Sequence, residues 1–242
     1  MALAAKFSHW WSLNGVATDE VGGATLTLNN SPATGTGLVY ASAYDLELDS
    51  TQFLSRASQA SLQLGDTTKS YVAWFKAESF VNSFHTVLGK DDEAAGASEY
   101  VIYAKNDGSG NYNIQWAVFD AAGSTIASIT LTGTNLATGT WYMVAVGHNH
   151  TTNEIWASLN AAAKTTAATG GTAPAAGGAQ LRIGAIEFSG AERYFDGLVG
   201  PAGIATEELT ADDLTSLYNA GAGRAYPFTT ATPFHLLLLG AG

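Results

Sequence analysis

The chain has no cysteine among its 242 residues. Disulfide staples, thiolate metal sites and cysteine nucleophiles are therefore excluded together. Proline is scarce, at 5 residues, and charge is sparse, at 13% of the chain. Basic residues are rarer still: 10 Lys and Arg stand against 21 Asp and Glu, a net charge of −11. That balance argues against binding a nucleic-acid backbone, and no phosphate loop, dinucleotide fingerprint or basic patch is present. No apolar run approaches the ~18–20 residues of a membrane-spanning helix. The longest aliphatic run covers residues 236–239. Residues 1–7 lack the charged start and long apolar stretch of a secretory signal, so none is read there.

What is present points to β-structure. Hydrophobic residues make up 46% of the chain, with 27 glycines as punctuation, and the length suits one large domain. Short β-branched and aromatic runs predict strands at residues 71–75, 100–104, 112–119, 125–131, 141–147, 154–159, 180–186 and around 194–204. Asn106-Asp107-Gly108-Ser109-Gly110-Asn111 is a hairpin turn signal, since Gly and Asn tolerate positive φ. One helix is predicted over residues 210–218, with Thr210 as N-cap and Asp212 and Asp213 at the positive end of its dipole. Leu209 is placed to staple onto Leu214, and Gly221 to stop the helix. Residues 160–178 are nearly all Ala, Thr and Gly and read as a surface loop or the loose end of a hairpin.

Several segments in this order carry a resemblance. Trp10-Trp11-Ser12-Leu13-Asn14-Gly15 is followed by Asp19, Gly22-Gly23 and Leu26-Thr27. Ala43-Tyr44-Asp45-Leu46-Glu47 precedes Gln52-Phe53-Leu54-Ser55. Next come Trp74-Phe75-Lys76, Val87-Leu88-Gly89-Lys90-Asp91 and Trp141-Tyr142-Met143-Val144-Ala145-Val146. Tyr194-Phe195-Asp196-Gly197-Leu198-Val199-Gly200 and the helix close the series. Together they resemble the laminin G-like branch of the concanavalin A-like lectin/glucanase jelly rolls, over roughly residues 6–228. Where that pattern has Asp-Gly after the strand at 155–159, this chain has Asn160-Ala161. The resemblance implies an all-β fold: a two-sheet antiparallel jelly-roll sandwich with one short C-terminal helix, spanning residues 1–228. Function follows less directly, because this fold hosts lectins, glycosidases, adhesion modules and viral structural proteins.

Candidate chemistry sits in four places. Asp45, Glu47 and Asp49 alternate on a strand, so their carboxylates would share one face ~6–7 Å apart, within range of a glycosidase pair; the glucanase relatives carry a different order on a different strand. His148 and His150 lie on one side of an extended segment, without the third ligand that zinc needs. Calcium is the candidate cofactor, with Asp91, Asp92, Glu93, Asp107 and Asp196 as hard oxygen donors on turns. Trp116 and Trp156 are the candidate sugar-stacking residues on the concave face, although aromatic residues on strands pack cores by default.

Residues 229–242 form an apolar tail beyond the family's usual end. Phe234, Leu236, Leu237, Leu238 and Leu239 are its large apolar side chains, a candidate interface or anchor. The leading expectation is a non-catalytic structural and interaction protein of a phage virion surface, a decoration or tail-associated protein assembled in the host cytoplasm. Its partners would be other subunits of its own kind or a capsid or tail protein, with neither nucleic acid nor membrane. The alternative is a carbohydrate-binding lectin, calcium-dependent or not, with a glycan as partner. A glycoside hydrolase using Glu47 with Asp45 or Asp49 ranks below both.

Overall fold

The computed structural model describes residues 2–92, 96–188 and 191–228. Its architecture is two antiparallel sheets. The first has eight strands, in the order β13 (Thr165–Ala168), β12 (Glu154–Leu159), β11 (Tyr142–Asn149), β6 (Lys69–Ala77), β17 (Gly197–Ala205), β4 (Ser42–Leu46) and β3 (Ala33–Thr36), with β1 (Phe7–Trp11) also pairing β17. The second has seven, in the order β10 (Thr125–Thr130), β9 (Tyr112–Phe119), β8 (Tyr100–Asn106), β7 (Phe84–Lys90), β14 (Leu181–Ile183), β5 (Phe53–Arg56) and β2 (Thr27–Asn29). A two-stranded ribbon, β15 (Glu187–Phe188) with β16 (Ala191–Glu192), stands apart from both. The expected jelly-roll sandwich with one short C-terminal helix is the architecture found.

Strand parity builds three apolar layers. In β6, Tyr71, Ala73 and Phe75 enter the core between the sheets, and Val72 and Trp74 face the other way into a second cluster. A strand buried on both faces explains why its sequence reads as a continuous apolar run. The second cluster covers the outer face of the eight-stranded sheet with Phe7, Trp10, Leu209, Leu214, Leu217 and Phe228. Glycine makes that cover close: a Cβ at Gly203 would sit 2.4 Å from the Trp10 ring, so the indole needs the bare backbone of β17. The third layer, Val101, Tyr103, Ala117, Phe119 and Ile186, lies on the outer face of the seven-stranded sheet.

The helix α1 (Ala211–Tyr218) starts as expected and ends differently. Thr210 Oγ1 accepts from the Asp213 amide and Asp213 accepts from the Thr210 amide, a reciprocal capping box. Lys6 donates to the same Asp213 carboxylate at 2.7 Å, tying the N-terminal segment to the helix. The C-cap is Asn219, at φ 48°, not Gly221. Asn tolerates the left-handed region through its short polar side chain, so the helix stops two residues before the expected glycine.

Two loop readings also change in detail. Residues 165–168 pair with β12, so part of the Ala- and Thr-rich stretch is an edge strand. Asn160 and Ala161 both hold positive φ, 53° and 58°, beneath a hydrogen bond from the Ala162 amide to the Leu159 carbonyl. The turn keeps the left-handed geometry that Asp-Gly ordinarily supplies, here with an alanine in the strained position. Between β7 and the start of β8, Lys90 and Glu99 form a fully buried ion pair at 3.0 Å. Burial pushes the lysine pKa down and the glutamate pKa up, with the mutual attraction opposing both. The tail residues Phe234, Leu236, Leu237, Leu238 and Leu239, and Glu93, lie outside the described residues.

Candidate functional site

A sandwich of this kind offers two broad outer faces. The eight-stranded sheet has lost much of its outer face to the helix, Trp10, Phe7 and Phe228. The seven-stranded sheet carries only the thin third layer, and its β7–β10 region opens into a groove of about 290 Å³. That volume sits at the lower end of the ~300–1,000 Å³ typical of small-ligand sites.

The groove is made by strand alternation. Tyr103 and Lys105 of β8, and Gln115, Ala117 and Phe119 of β9, are two apart and share the outer face. Register sets them side by side: Tyr103 pairs with Gln115, which pairs in turn with Thr130 of β10. In the next row Val101 pairs with Ala117, which pairs with Ser128. Buried Tyr103, Ala117 and Phe119 make an apolar floor, while half-buried Gln115 and exposed Thr125 and Ser128 offer an amide and two hydroxyls. Phe84 of β7 and Arg193 form the far wall. The Arg193 guanidinium lies 4.1 Å from the centroid of the Phe84 ring and donates to the Tyr103 hydroxyl at 3.1 Å. Lys105 lies 5.5 Å from the centroid of the same phenylalanine. An apolar floor with a few convergent donors and acceptors is what a sugar needs: its C–H face packs on the floor and its hydroxyls meet the amide and the hydroxyls.

A second arrangement lies on the other sheet. Asp45, Glu47 and Glu78 bring one carboxylate oxygen each within 4.8 Å of one another. They meet because β17 separates β4 and β6 by one strand, with Gly197 opposite both Leu46 and Ala77. Burial raises the Asp45 pKa, Lys76 opposes that and Asp196 adds to it. Glu78 is raised by burial first, then by Asp45, Glu47 and Asp196. Three like charges so close can share a proton or face a hard cation.

Comparison with known proteins settles the family. A laminin G-like family model, described as concanavalin A-like lectin/glucanases superfamily, matches residues 48–215. The chain belongs to this superfamily. Among solved structures, the binding domain of Paraclostridial Mosquitocidal Protein 1 superposes with a TM-score of 0.72 at 10% identity, over 90% of this chain and 53% of that one. Domain 4 of AbnA, a GH43 extracellular arabinanase from Geobacillus stearothermophilus, in complex with arabinotriose, gives 0.64 at 18% identity, over 87% and 97%. The botulinum neurotoxin serotype D ligand binding domain in complex with N-acetylneuraminic acid gives 0.67 at 14% identity, over 91% and 53%. This chain spans about half the length of the two toxin domains. At these identities the likeness is one of fold. Curated proteins give no match.

Within this concanavalin A-like chain the residues singled out in the sequence fall in different places. Trp116 is fully buried in the core between the sheets, against Tyr71 and Tyr100. Trp156 is 1% exposed in the cluster on the outer face of the eight-stranded sheet, with the Lys164 ammonium 4.0 Å from its ring centroid. Neither indole presents a face to a sugar, so the stacking role expected for Trp116 and Trp156 is corrected. Parity is the reason for Trp116, whose neighbours Gln115 and Ala117 point to the groove instead. Of the three alternating acids, Asp45 and Glu47 join the carboxylate group, and Asp49 lies on the turn after β4. Their partner Glu78 comes from the far side of β17, a pairing that only register reveals. None of the expected calcium donors belongs to that group among the described residues. Asp91 is buried and accepts from Ser98, the backbone of Asp92 forms an isolated parallel β-bridge with that of Glu187, and Asp107 caps its own hairpin turn at Ser109 and Asn111. Asp196 accepts from the Leu48 amide and Ser79 beside the group. His148 is buried with Nδ1 on the Thr67 carbonyl, while exposed His150 pairs with Asp66, so the two histidines do not converge. Among the described residues no helix is long and apolar enough to cross a membrane.

Proposed function

We propose that this chain is a non-catalytic carbohydrate-binding module that takes a sugar chain across the outer face of the seven-stranded sheet. The observation that carries this reading is the groove itself: apolar Tyr103, Ala117 and Phe119 below, Gln115, Thr125 and Ser128 beside them, on the less covered face of the sandwich. The similar structures that hold arabinotriose and N-acetylneuraminic acid support it at the level of fold. The carboxylate group of Asp45, Glu47 and Glu78 belongs to the other sheet, so sugar binding here does not pass through a cation and persists in chelator.

A glycan array with the whole chain, followed by calorimetry on the best binder, tests the reading. Gln115→Ala removes the groove's amide and weakens binding by about tenfold, the worth of one or two hydrogen bonds at a desolvated contact. An affinity unchanged in Gln115→Ala moves the site elsewhere. The virion-surface role expected from the sequence depends on the tail residues Phe234 and Leu236, Leu237, Leu238 and Leu239, outside the described residues. Its test is deletion of residues 233–242, scored by the assembly state of the chain: a smaller assembly supports that role and an unchanged one removes the tail from it.

A further inference from the structure

The groove has a charge sign opposite to that of the chain. Acidic residues outnumber basic ones 21 to 10, so a charged residue of this chain is more often a carboxylate than a cation. Among the described residues, the two charged ones that line this groove, Lys105 and Arg193, are both basic. Arg193 also lines the adjoining recess of about 220 Å³, with Asn82, Ser83 and Phe84.

Both cations are held in place. Phe84 anchors them together, with the Arg193 guanidinium 4.1 Å and the Lys105 ammonium 5.5 Å from its ring centroid. Tyr103 fixes Arg193 further through its hydroxyl at 3.1 Å. Lys105 is half-buried and makes no salt bridge among the described residues, while Lys6, Lys90 and Lys164 each have a carboxylate partner. Both cations bear on the Phe84 ring, so an anion seated beside that ring meets positive charge from each.

We infer that the ligand of this groove is an anionic sugar, its carboxylate or sulfate seated by Lys105 and Arg193 and its ring packed on the floor of Tyr103, Ala117 and Phe119. This rests on the carbohydrate-binding reading and narrows its substrate class. Because the rest of the chain is acidic, the attraction is local, so selectivity comes from the seat itself and fades as salt rises.

The test is calorimetry of the whole chain with trigalacturonate, its methyl ester, a sulfated galactotriose and neutral galactotriose. The expected result is binding of at least one acidic probe, at least about tenfold tighter than galactotriose, with the esterified probe reduced to the neutral level. Lys105→Gln weakens the acidic probe by more than it weakens galactotriose and so abolishes the preference, and Lys105→Arg restores it; circular dichroism of each variant checks its fold. Which acidic probe binds distinguishes carboxylate from sulfate. Equal binding of neutral and acidic probes overturns the anionic inference and leaves the carbohydrate reading standing. Binding of no probe overturns both.

Discussion

Replacing Asp19 with asparagine separates a structural carboxylate from every other acid in the chain. Asp19 is buried in the turn that follows β1. Its Oδ1 accepts from the amides of Trp10, Val21 and Gly22 at 3.0–3.1 Å. Its Oδ2 accepts from the Ala24 amide at 2.8 Å and from His9 Nδ1 at 2.6 Å. One side chain thus fixes β1, the turn and the Gly22-Gly23 segment. Burial alone would raise this carboxyl, but the bonds from His9, Ala24, Gly22 and Val21 outweigh it and hold it well below the ordinary carboxylate range. The Asp19→Asn side chain keeps one acceptor oxygen and turns an NH₂ toward Ala24 and His9. Two charge-assisted bonds are lost, each worth ~1.5–3 kcal/mol, so Asp19→Asn costs about 3–6 kcal/mol. Against a total stability of ~5–15 kcal/mol that is a large fraction. Urea unfolding at pH 7 measures it as a lower midpoint at unchanged slope. The sign in pH follows from the lowered pKa: the stabilisation is present above the unfolded value of 3.8 and is lost as pH falls from there toward the folded value. Asp19→Asn therefore removes part of the wild-type acid sensitivity. A cost under about 1 kcal/mol at pH 7 would refute the claim that these bonds hold the turn.

Two further perturbations probe the scaffold. Gly203→Ala drives a Cβ into Trp10 and Phe7, at 2.4 and 2.9 Å, and lowers stability by about 1–3 kcal/mol, read as a reduced Tm; an unchanged Tm means that Trp10 does not rest on β17. Glu78→Gln removes a carboxylate whose pKa is raised in the fold, so the wild type loses stability as pH rises from 4.5 through the folded value, and the variant does not. Thermal melts between pH 4 and 7 show the two curves converging at the acid end, and parallel curves would contradict the crowding of the three carboxylates.

The strands were readable because short β-branched and aromatic runs stand between clusters of Gly, Asn, Asp and Thr. β9 and β12 fall at residues 112–119 and 154–159, where the apolar runs placed them. The helix start was readable because Thr210, Asp212, Asp213 and Leu214 form a local pattern; its end was not, since Asn219 stops it ahead of the more obvious glycine. The site was harder for a physical reason. Trp116 is the conspicuous aromatic of β9, but aromatic size drives burial, and the groove is formed by its plainer neighbours Gln115, Ala117 and Phe119. Their shared face could have been read from alternation alone once Trp116 was assigned inward. Arg193 and Glu78 carried no local signal, because each meets partners far away in the sequence: Arg193 reaches Tyr103 from the segment before β17, and Glu78 meets Asp45 and Glu47 across β17.

The most direct measurement is a backbone-amide NMR map of the chain titrated with an oligosaccharide that it binds. If the outer face of the seven-stranded sheet carries the sugar, shifts concentrate at Tyr103, Lys105, Gln115, Ala117 and Ser128, and the amides of Val72, Met143 and Ala145 beneath the helix stay still. Shifts gathered instead around Asp45, Glu47 and Glu78, with the groove unmoved, would contradict the account.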